Sequence, residues 1–266
     1  MKVLIAGAGN MGTTYARSFL ASRFIVPEDL FLLDRMVGGE AQVKEVPRTN
    51  IFSAAGAYIS QADIIILAVK PQDFPGLAAQ LKPFIQADQL ILSIMAGIQM
   101  AQVMQALGAT KVVRSMPNLP AQIGMGMTVF TSSPAMDKKE LFIIQNLINT
   151  TGKSVYVEDE NMLDAATAVS GSGPAYVYYF MQAMINAAAQ MGFSPSQAEL
   201  LVNQTFMGAV HLHNQSQLTC NEWIKRVASK GGTTEAALHV LGNNEVNTKI
   251  ELALQAALQR AGDLGK

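Results

Sequence analysis

The chain has 266 residues, half of them hydrophobic, with a net charge of −1 and a pI near 6.3. That length and apolar content allow two modest domains or one large one. Scattered Lys and Arg build no basic face, which argues against a nucleic-acid partner, and the single cysteine, Cys220, cannot form an intrachain disulfide, in keeping with a reducing compartment.

The start, "MKVLIAGAGNMG", has the charged opening of a signal peptide, but glycines interrupt its apolar run after a few residues. Residues 3–6 read instead as a short strand, followed by a glycine turn and a helix over Asn10–Ala21. Residues 30–33 are the next predicted strand. Residues 64–69, rich in β-branched side chains, read as a strand buried on both faces. Strands at 90–94, 111–114, 128–131 and 154–157 follow, with a helix over 134–149 before the last. Such alternation implies an α/β fold with a mostly parallel, doubly wound sheet. No apolar stretch approaches the ~18 residues of a membrane span, so a soluble, cytoplasmic protein is expected.

Beyond residue 158 no convincing strand occurs. Helices are predicted at 162–169, 175–191, 196–215, 221–229, 234–241 and 245–261. Capping boxes open two of them: Ser194 with Gln197, and Thr219 with Glu222. The chain therefore divides at 157, with residues 1–157 as an α/β domain and 158–266 as an all-helical one. No Lys or Arg lies between Lys153 and Lys225, and from residue 165 to 221 the only formal charge is Glu199. Helices this apolar need more cover than one small domain supplies. A large internal core is one solution; a subunit interface is the reading we prefer. The same stretch offers no lysine as acid or base.

"GAGNMG", Gly7, Ala8, Gly9, Asn10, Met11 and Gly12, fits G-x-G-x-x-G between a strand and a helix. In such a turn the first glycine permits the bend, the second lets a pyrophosphate approach backbone, and the third allows close packing. The helix start then offers N–H groups to the phosphates. Asp34 and Arg35 end the next strand: the aspartate favours ribose hydroxyls and hence NAD, whereas the arginine favours adenine or a 2′-phosphate and hence NADP. "AVKPQ", with Ala68, Val69, Lys70 and Pro71, and "RSMPNLP", with Pro117 and Asn118, end two further strands at the same sheet edge. They put polar backbone beside the nicotinamide end of the cofactor. "SGSGPAY", residues 170–176, is either a kink between helices or a close backbone approach. His211 and His213 do not share a helix face and have no carboxylate or Cys cluster beside them, so no metal site is expected. In "SKGGTTEAAL", residues 229–238, a helix begins directly after two glycines; this reads equally as a capped turn or as an anion pocket of N–H groups and hydroxyls.

In order and spacing these five motifs resemble those of pyrroline-5-carboxylate reductases, over essentially the whole chain. The last two are specific to that family. The resemblance implies a Rossmann-type domain followed by a helical dimerisation domain, with dimers that often assemble further. It implies reduction of 1-pyrroline-5-carboxylate, a cyclic imino acid, to L-proline, the last step of proline biosynthesis. NADPH would be the cofactor, with NADH usable. By the same resemblance Ser229, Gly231, Gly232, Thr233 and Thr234 bind the substrate. Their backbone amides and hydroxyls hold its carboxylate, and Thr234 hydrogen-bonds the ring nitrogen. Lys230 stands where the commonest family loop has proline, and Leu119 where it has threonine. A β-hydroxyacid dehydrogenase and a non-catalytic dinucleotide sensor are the alternatives. The missing lysine counts against the first and the intact glycine–threonine loop against the second.

Overall fold

A computed structural model describes residues 1–35 and 43–264. The chain divides into two compact units, Met1–Pro174 with Ala257–Lys266, and Ala175–Ala256. This division by compactness falls after the glycine-rich "SGSGP".

The first unit is built on eight strands: β1 (Val3–Ala6), β2 (Leu30–Leu33), β3 (Ile51–Phe52), β4 (Ile64–Leu67), β5 (Leu90–Ser93), β6 (Val112–Met116), β7 (Gly126–Ser132) and β8 (Gly152–Tyr156). They lie in the order β3-β2-β1-β4-β5-β6-β7-β8. Every neighbouring pair is parallel except β6 and β7. The fold is the mixed α/β, Rossmann-like sheet with a helical C-terminal part that the alternation of elements implied.

Alternate residues of the central strands feed two separate cores. Val3, Ile5, Leu30, Leu32, Ile64 and Ile66 pack with Tyr15 and Phe19 of α1 (Asn10–Ala21) and with Ile144, Leu147 and Ile148 of α4 (Lys138–Asn149). Leu4, Ala6, Phe31, Leu33, Ile65 and Leu67 pack with α2 (Phe74–Leu81) and α3 (Met100–Leu107). The strands are therefore buried on both faces, which is why they read as continuous apolar runs. The order of strands reverses between β1 and β4, and the carboxyl ends of these two strands frame the crevice where ligands of such sheets bind.

Arg114 on β6 is 4 % exposed and is held by two carboxylates, Glu160 Oε1 at 3.2 Å and Asp164 Oδ1 at 2.9 Å. Asp164 belongs to α5 (Met162–Ala166), and Glu160 also accepts the Met100 N–H at 2.8 Å. The buried guanidinium thus ties the sheet, α3 and α5 together. A single π-helical turn, Thr167–Gly171, follows α5, with the Ser172 N–H reaching the Thr167 carbonyl at 2.8 Å. "SGSGP" is therefore a widened turn of helix, the kink reading in a specific form.

The second unit is helical: α6 (Gly173–Gln190), α7 (Pro195–Asn214), α8 (Cys220–Val227), α9 (Thr233–Asn243) and α10 (Val246–Leu264), with the two ends of this series extending into the first unit. Both expected capping boxes form, at Ser194–Gln197 and Thr219–Glu222. The backbone and side-chain bonds from Thr219 hold the Glu222 carboxyl below its ordinary pKa. Large apolar side chains on these helices face outward, among them Tyr179 at 74 % and Leu200 at 68 % exposure. Uncovered apolar surface of this kind marks an interaction face.

Candidate active site

The glycine turn after β1 owes its shape to contacts that a side chain would break. Gly7 has φ of +106°, and a Cβ there would lie 2.7 Å from the Ala68 carbonyl oxygen at the end of β4. A Cβ on Gly12 would lie 1.9 Å from the Gly7 carbonyl oxygen, so only glycine lets α1 sit this close to β1. Gly9 differs from both. Its φ is −72°, and a Cβ there would meet nothing within 4 Å. The second glycine is not needed for packing; it keeps space open above the first turn of α1. That space, bounded by helix-start N–H groups, fits a pyrophosphate.

Gly7, Gly9, Asp34, Arg35, Ala68, Val69 and Lys70 line one cavity of about 420 Å³. Seven residues predicted from three separate motifs are thus brought together at the sheet's reversal point. Asp34 accepts the Ala8 N–H at 2.6 Å, which pins the glycine turn to the end of β2. Arg35 reaches outward and its Nη2 donates to Asp73 Oδ1 at 3.0 Å. Lys70 precedes Pro71, which opens the 3-10 turn Pro71–Asp73. Asp73, Ser53 and Gln80 also line this cavity and were not singled out from the sequence. Asp73 lies three residues beyond Lys70, but no pattern marks it.

Other predicted cofactor residues lie apart from this cavity. Asn10 lines a groove along the outer face of α1 with Arg17 and Gln122, about 780 Å³ in volume. Asn118 is committed to the fold: its Oδ1 accepts the Met127 N–H at 2.8 Å and its Nδ2 donates to the Ser170 carbonyl at 3.0 Å. The side chain thus fastens the exit of β6 to β7 and to the π-turn. These two bonds fix the orientation of the amide and leave one N–H and one oxygen lone pair of the side chain for other partners.

In the second unit the loop before α9 has a defined internal bonding pattern. Gly231 has φ of +73°, a left-handed conformation suited to glycine. Its N–H donates to the Glu235 carboxylate at 2.6 Å. The Gly232 N–H donates to the Ser229 carbonyl at 3.0 Å, and a Cβ on Gly232 would lie 2.5 Å from the Ser229 hydroxyl. The expectation that both glycines present bare amides therefore needs correction. The loop itself uses those amides, and the glycines serve its shape. Thr233 and Thr234 are the first two residues of α9, whose start has no side-chain cap. N–H groups at these positions have no intrahelical acceptor and point out of the helix end. Glu235 is the residue that sequence reading missed here; a Glu at the third helical position is a known signal for bonding back toward the cap.

The clearest pKa displacements lie away from both places. Tyr15 is fully buried between α1 and the sheet, and burial pushes its phenol up to about 12. The hydroxyls of Thr128 and Thr151 beside it pull weakly the other way, and neither bonds it. Partial burial likewise raises Tyr58, which stacks on Phe52, to about 12. Among the described residues no cluster of His, Cys, Asp and Glu has the makings of a metal site, and no helix is long and apolar enough to cross a membrane.

Comparison with known proteins bears on both units. Residues 160–264 match the family model for pyrroline-5-carboxylate reductase dimerisation, and residues 2–97 match that for NADP oxidoreductase, coenzyme F420-dependent. A pyrroline-5-carboxylate reductase of Staphylococcus saprophyticus is 31% identical over 99% of this chain and 98% of its own. One of Pseudomonas aeruginosa is 32% identical over 100% of this chain and 97% of its own. Among solved structures, the pyrroline carboxylate reductase of Plasmodium falciparum with NADP bound superposes with a TM-score of 0.90. It is 27% identical and covers 100% of this chain and 98% of its own.

Proposed function

The chain belongs to the pyrroline-5-carboxylate reductase family, and from that premise we propose how its residues divide the work. The enzyme is an NAD(P)H-dependent oxidoreductase that reduces 1-pyrroline-5-carboxylate to L-proline. In the balanced reaction one hydride and one proton add across the C=N bond. Its helical half is a dimerisation domain.

Residues 1–157 bind the cofactor and residues 158–266 bind substrate and form the dimer. When bound, the reduced nicotinamide supplies the hydride. The turn of Gly7, Ala8, Gly9, Asn10, Met11 and Gly12 receives the pyrophosphate through backbone N–H groups at the start of α1. Asp34 holds that turn, and Arg35 takes the adenosine end as its 2′-phosphate. Backbone of Ala68, Val69, Lys70 and Pro71, with that of Pro117 and Asn118, orients the nicotinamide end. The observation that carries this reading is the open space above Gly9, where every neighbouring glycine is closed.

For the substrate, the amides of Thr233 and Thr234 and the hydroxyls of Ser229 and Thr233 hold the carboxylate. Gly231 and Gly232 give the loop the backbone path it needs. The Thr234 hydroxyl hydrogen-bonds the ring nitrogen. An iminium accepts hydride better than an imine, so the nitrogen is protonated before or during transfer. An alcohol is a poor acid, so Thr234 orients the nitrogen while water delivers the proton. Most of the rate then comes from holding two reactants in line. The same reading includes a cytoplasmic location and further assembly of dimers.

Turnover of the purified protein with 1-pyrroline-5-carboxylate tests this. NADPH should be consumed one-for-one with proline formed. Absence of turnover, or oxidation of a β-hydroxy acid in its place, overturns the reading.

A further inference from the structure

The Arg35–Asp73 ion pair sits on the rim of the cofactor cavity. Arg35 lies two residues beyond β2 and its side chain is 77 % exposed; Asp73 closes the turn after β4. The two are 3.0 Å apart and line the same cavity as Gly9. Asp73 precedes α2 without bonding it as a side-chain cap, and its side chain is about one-third exposed. Its bond to Arg35 therefore acts on whatever Arg35 acts on.

We propose that Asp73 is a specificity-determining residue for the cofactor, a latch on Arg35 that a 2′-phosphate must displace. This rests on the reading of the cavity as the adenosine end of an NADPH site. Asp34, the other carboxylate at this strand end, is turned into the glycine turn through the Ala8 N–H. Asp73 is thus the carboxylate engaged with the guanidinium. A phosphate monoester is close to doubly charged and seeks the same N–H fork. To bind, it must share Arg35 with Asp73 or take it, and in both cases it accepts a negative charge a few ångströms away. NADH carries a 2′-hydroxyl and meets no such conflict, since a hydroxyl donates to a carboxylate as readily as it accepts from an arginine. Asp73 therefore narrows the gap between the two cofactors. An exposed ion pair is weak, so the latch yields to phosphate at a modest cost. The cation nearby that could confuse the picture is Lys70, which lines the same cavity.

The test is equilibrium binding by titration calorimetry on the full-length protein, with NADPH, NADH and 2′,5′-ADP as probes. Asp73→Asn should tighten NADPH and 2′,5′-ADP about five-fold and leave NADH within about two-fold. In an Arg35→Met background the same substitution should tighten NADPH and 2′,5′-ADP by clearly less, since only the direct repulsion between carboxylate and phosphate is then relieved. An unchanged NADPH affinity in Asp73→Asn overturns the proposal, as does equal weakening of both dinucleotides, which marks a structural role. Undiminished tightening in the Arg35→Met background also overturns it, because the carboxylate then acts on Lys70 or on the phosphate directly. If Arg35→Met alone leaves 2′,5′-ADP binding intact, the failure lies with the assignment of the adenosine end and not with the latch.

Discussion

Gly9→Ala separates cofactor binding from stability, because the structure gives this glycine no packing role. Its backbone is one that alanine adopts without strain, and a Cβ there meets no heavy atom within 4 Å. Alanine is a poorer helix cap than glycine but restricts the unfolded chain more, and the two effects oppose each other within about 1 kcal/mol. The melting temperature should thus barely move. The methyl group does fill the space through which a pyrophosphate reaches the first turn of α1. Displacing the phosphate breaks about two charge-assisted hydrogen bonds of ~1.5–3 kcal/mol each, a loss of roughly two to four powers of ten in affinity. Gly12→Ala is the contrast. Its Cβ would lie 1.9 Å from the Gly7 carbonyl oxygen, so it must pry α1 from β1 and lower stability first. Thermal unfolding and calorimetric titration with NADPH read the two effects separately. A Gly9→Ala protein with wild-type melting and wild-type NADPH affinity refutes the placement of the pyrophosphate.

Thr234→Ala should retain NADPH binding and lower kcat with 1-pyrroline-5-carboxylate; unchanged kcat removes Thr234 from the ring nitrogen. Arg114→Met leaves Glu160 and Asp164 without their cation. Both carboxylates keep about a quarter of their surface in water, so the expected loss is ~2–3 kcal/mol, below that of a fully buried pair; denaturant unfolding with an unchanged midpoint contradicts this. Tyr15 has a folded pKa raised above its unfolded value of 10.0 to about 12. Its contribution is therefore complete below pH ~10 and is lost as pH climbs toward ~12, in total about 2–3 kcal/mol. Tyr15→Phe should flatten that part of the alkaline stability curve and cost nothing at pH 7, since the hydroxyl has no partner to lose; an unaltered slope shows that other groups govern it. The dimer should bury well over ~2,000 Å² in total, so sedimentation that finds an active monomer at micromolar concentration speaks against it.

Much of the architecture was legible because it follows from local rules. β1 and α1 fall on their predicted residues, since a four-residue apolar run and a glycine turn leave no other boundary. β3 was missed because two residues at a sheet edge carry no alternation to read. α4 begins at Lys138, four residues after the predicted start, because Asp137 and Glu140 form a capping box that went unnoticed in "DKKE". The site was legible as motifs and illegible as bonds. Nothing local says that Asn118 spends both ends of its amide on Met127 and Ser170, or that Glu235 turns back to Gly231. Such partners depend on where remote backbone lies, which periodicity and spacing do not encode.

The seam between β1 and β4 has a consequence for how the protein opens. Val3 pairs with Ile64 across it, the widest separation in sequence of any two neighbouring strands in the sheet. By contrast β6 and β7 are joined by a short connection and pair antiparallel. Closing the longer loop costs more chain entropy and comes late in folding. The cofactor crevice stands at the carboxyl end of this same seam, where Gly7 meets Ala68. A dinucleotide laid across it acts as a staple on the pairing that is slowest to form. Amide hydrogens of Val3–Ala6 and Ile64–Leu67 should then gain the most protection from exchange when the cofactor binds, and those of β7 and β8 the least.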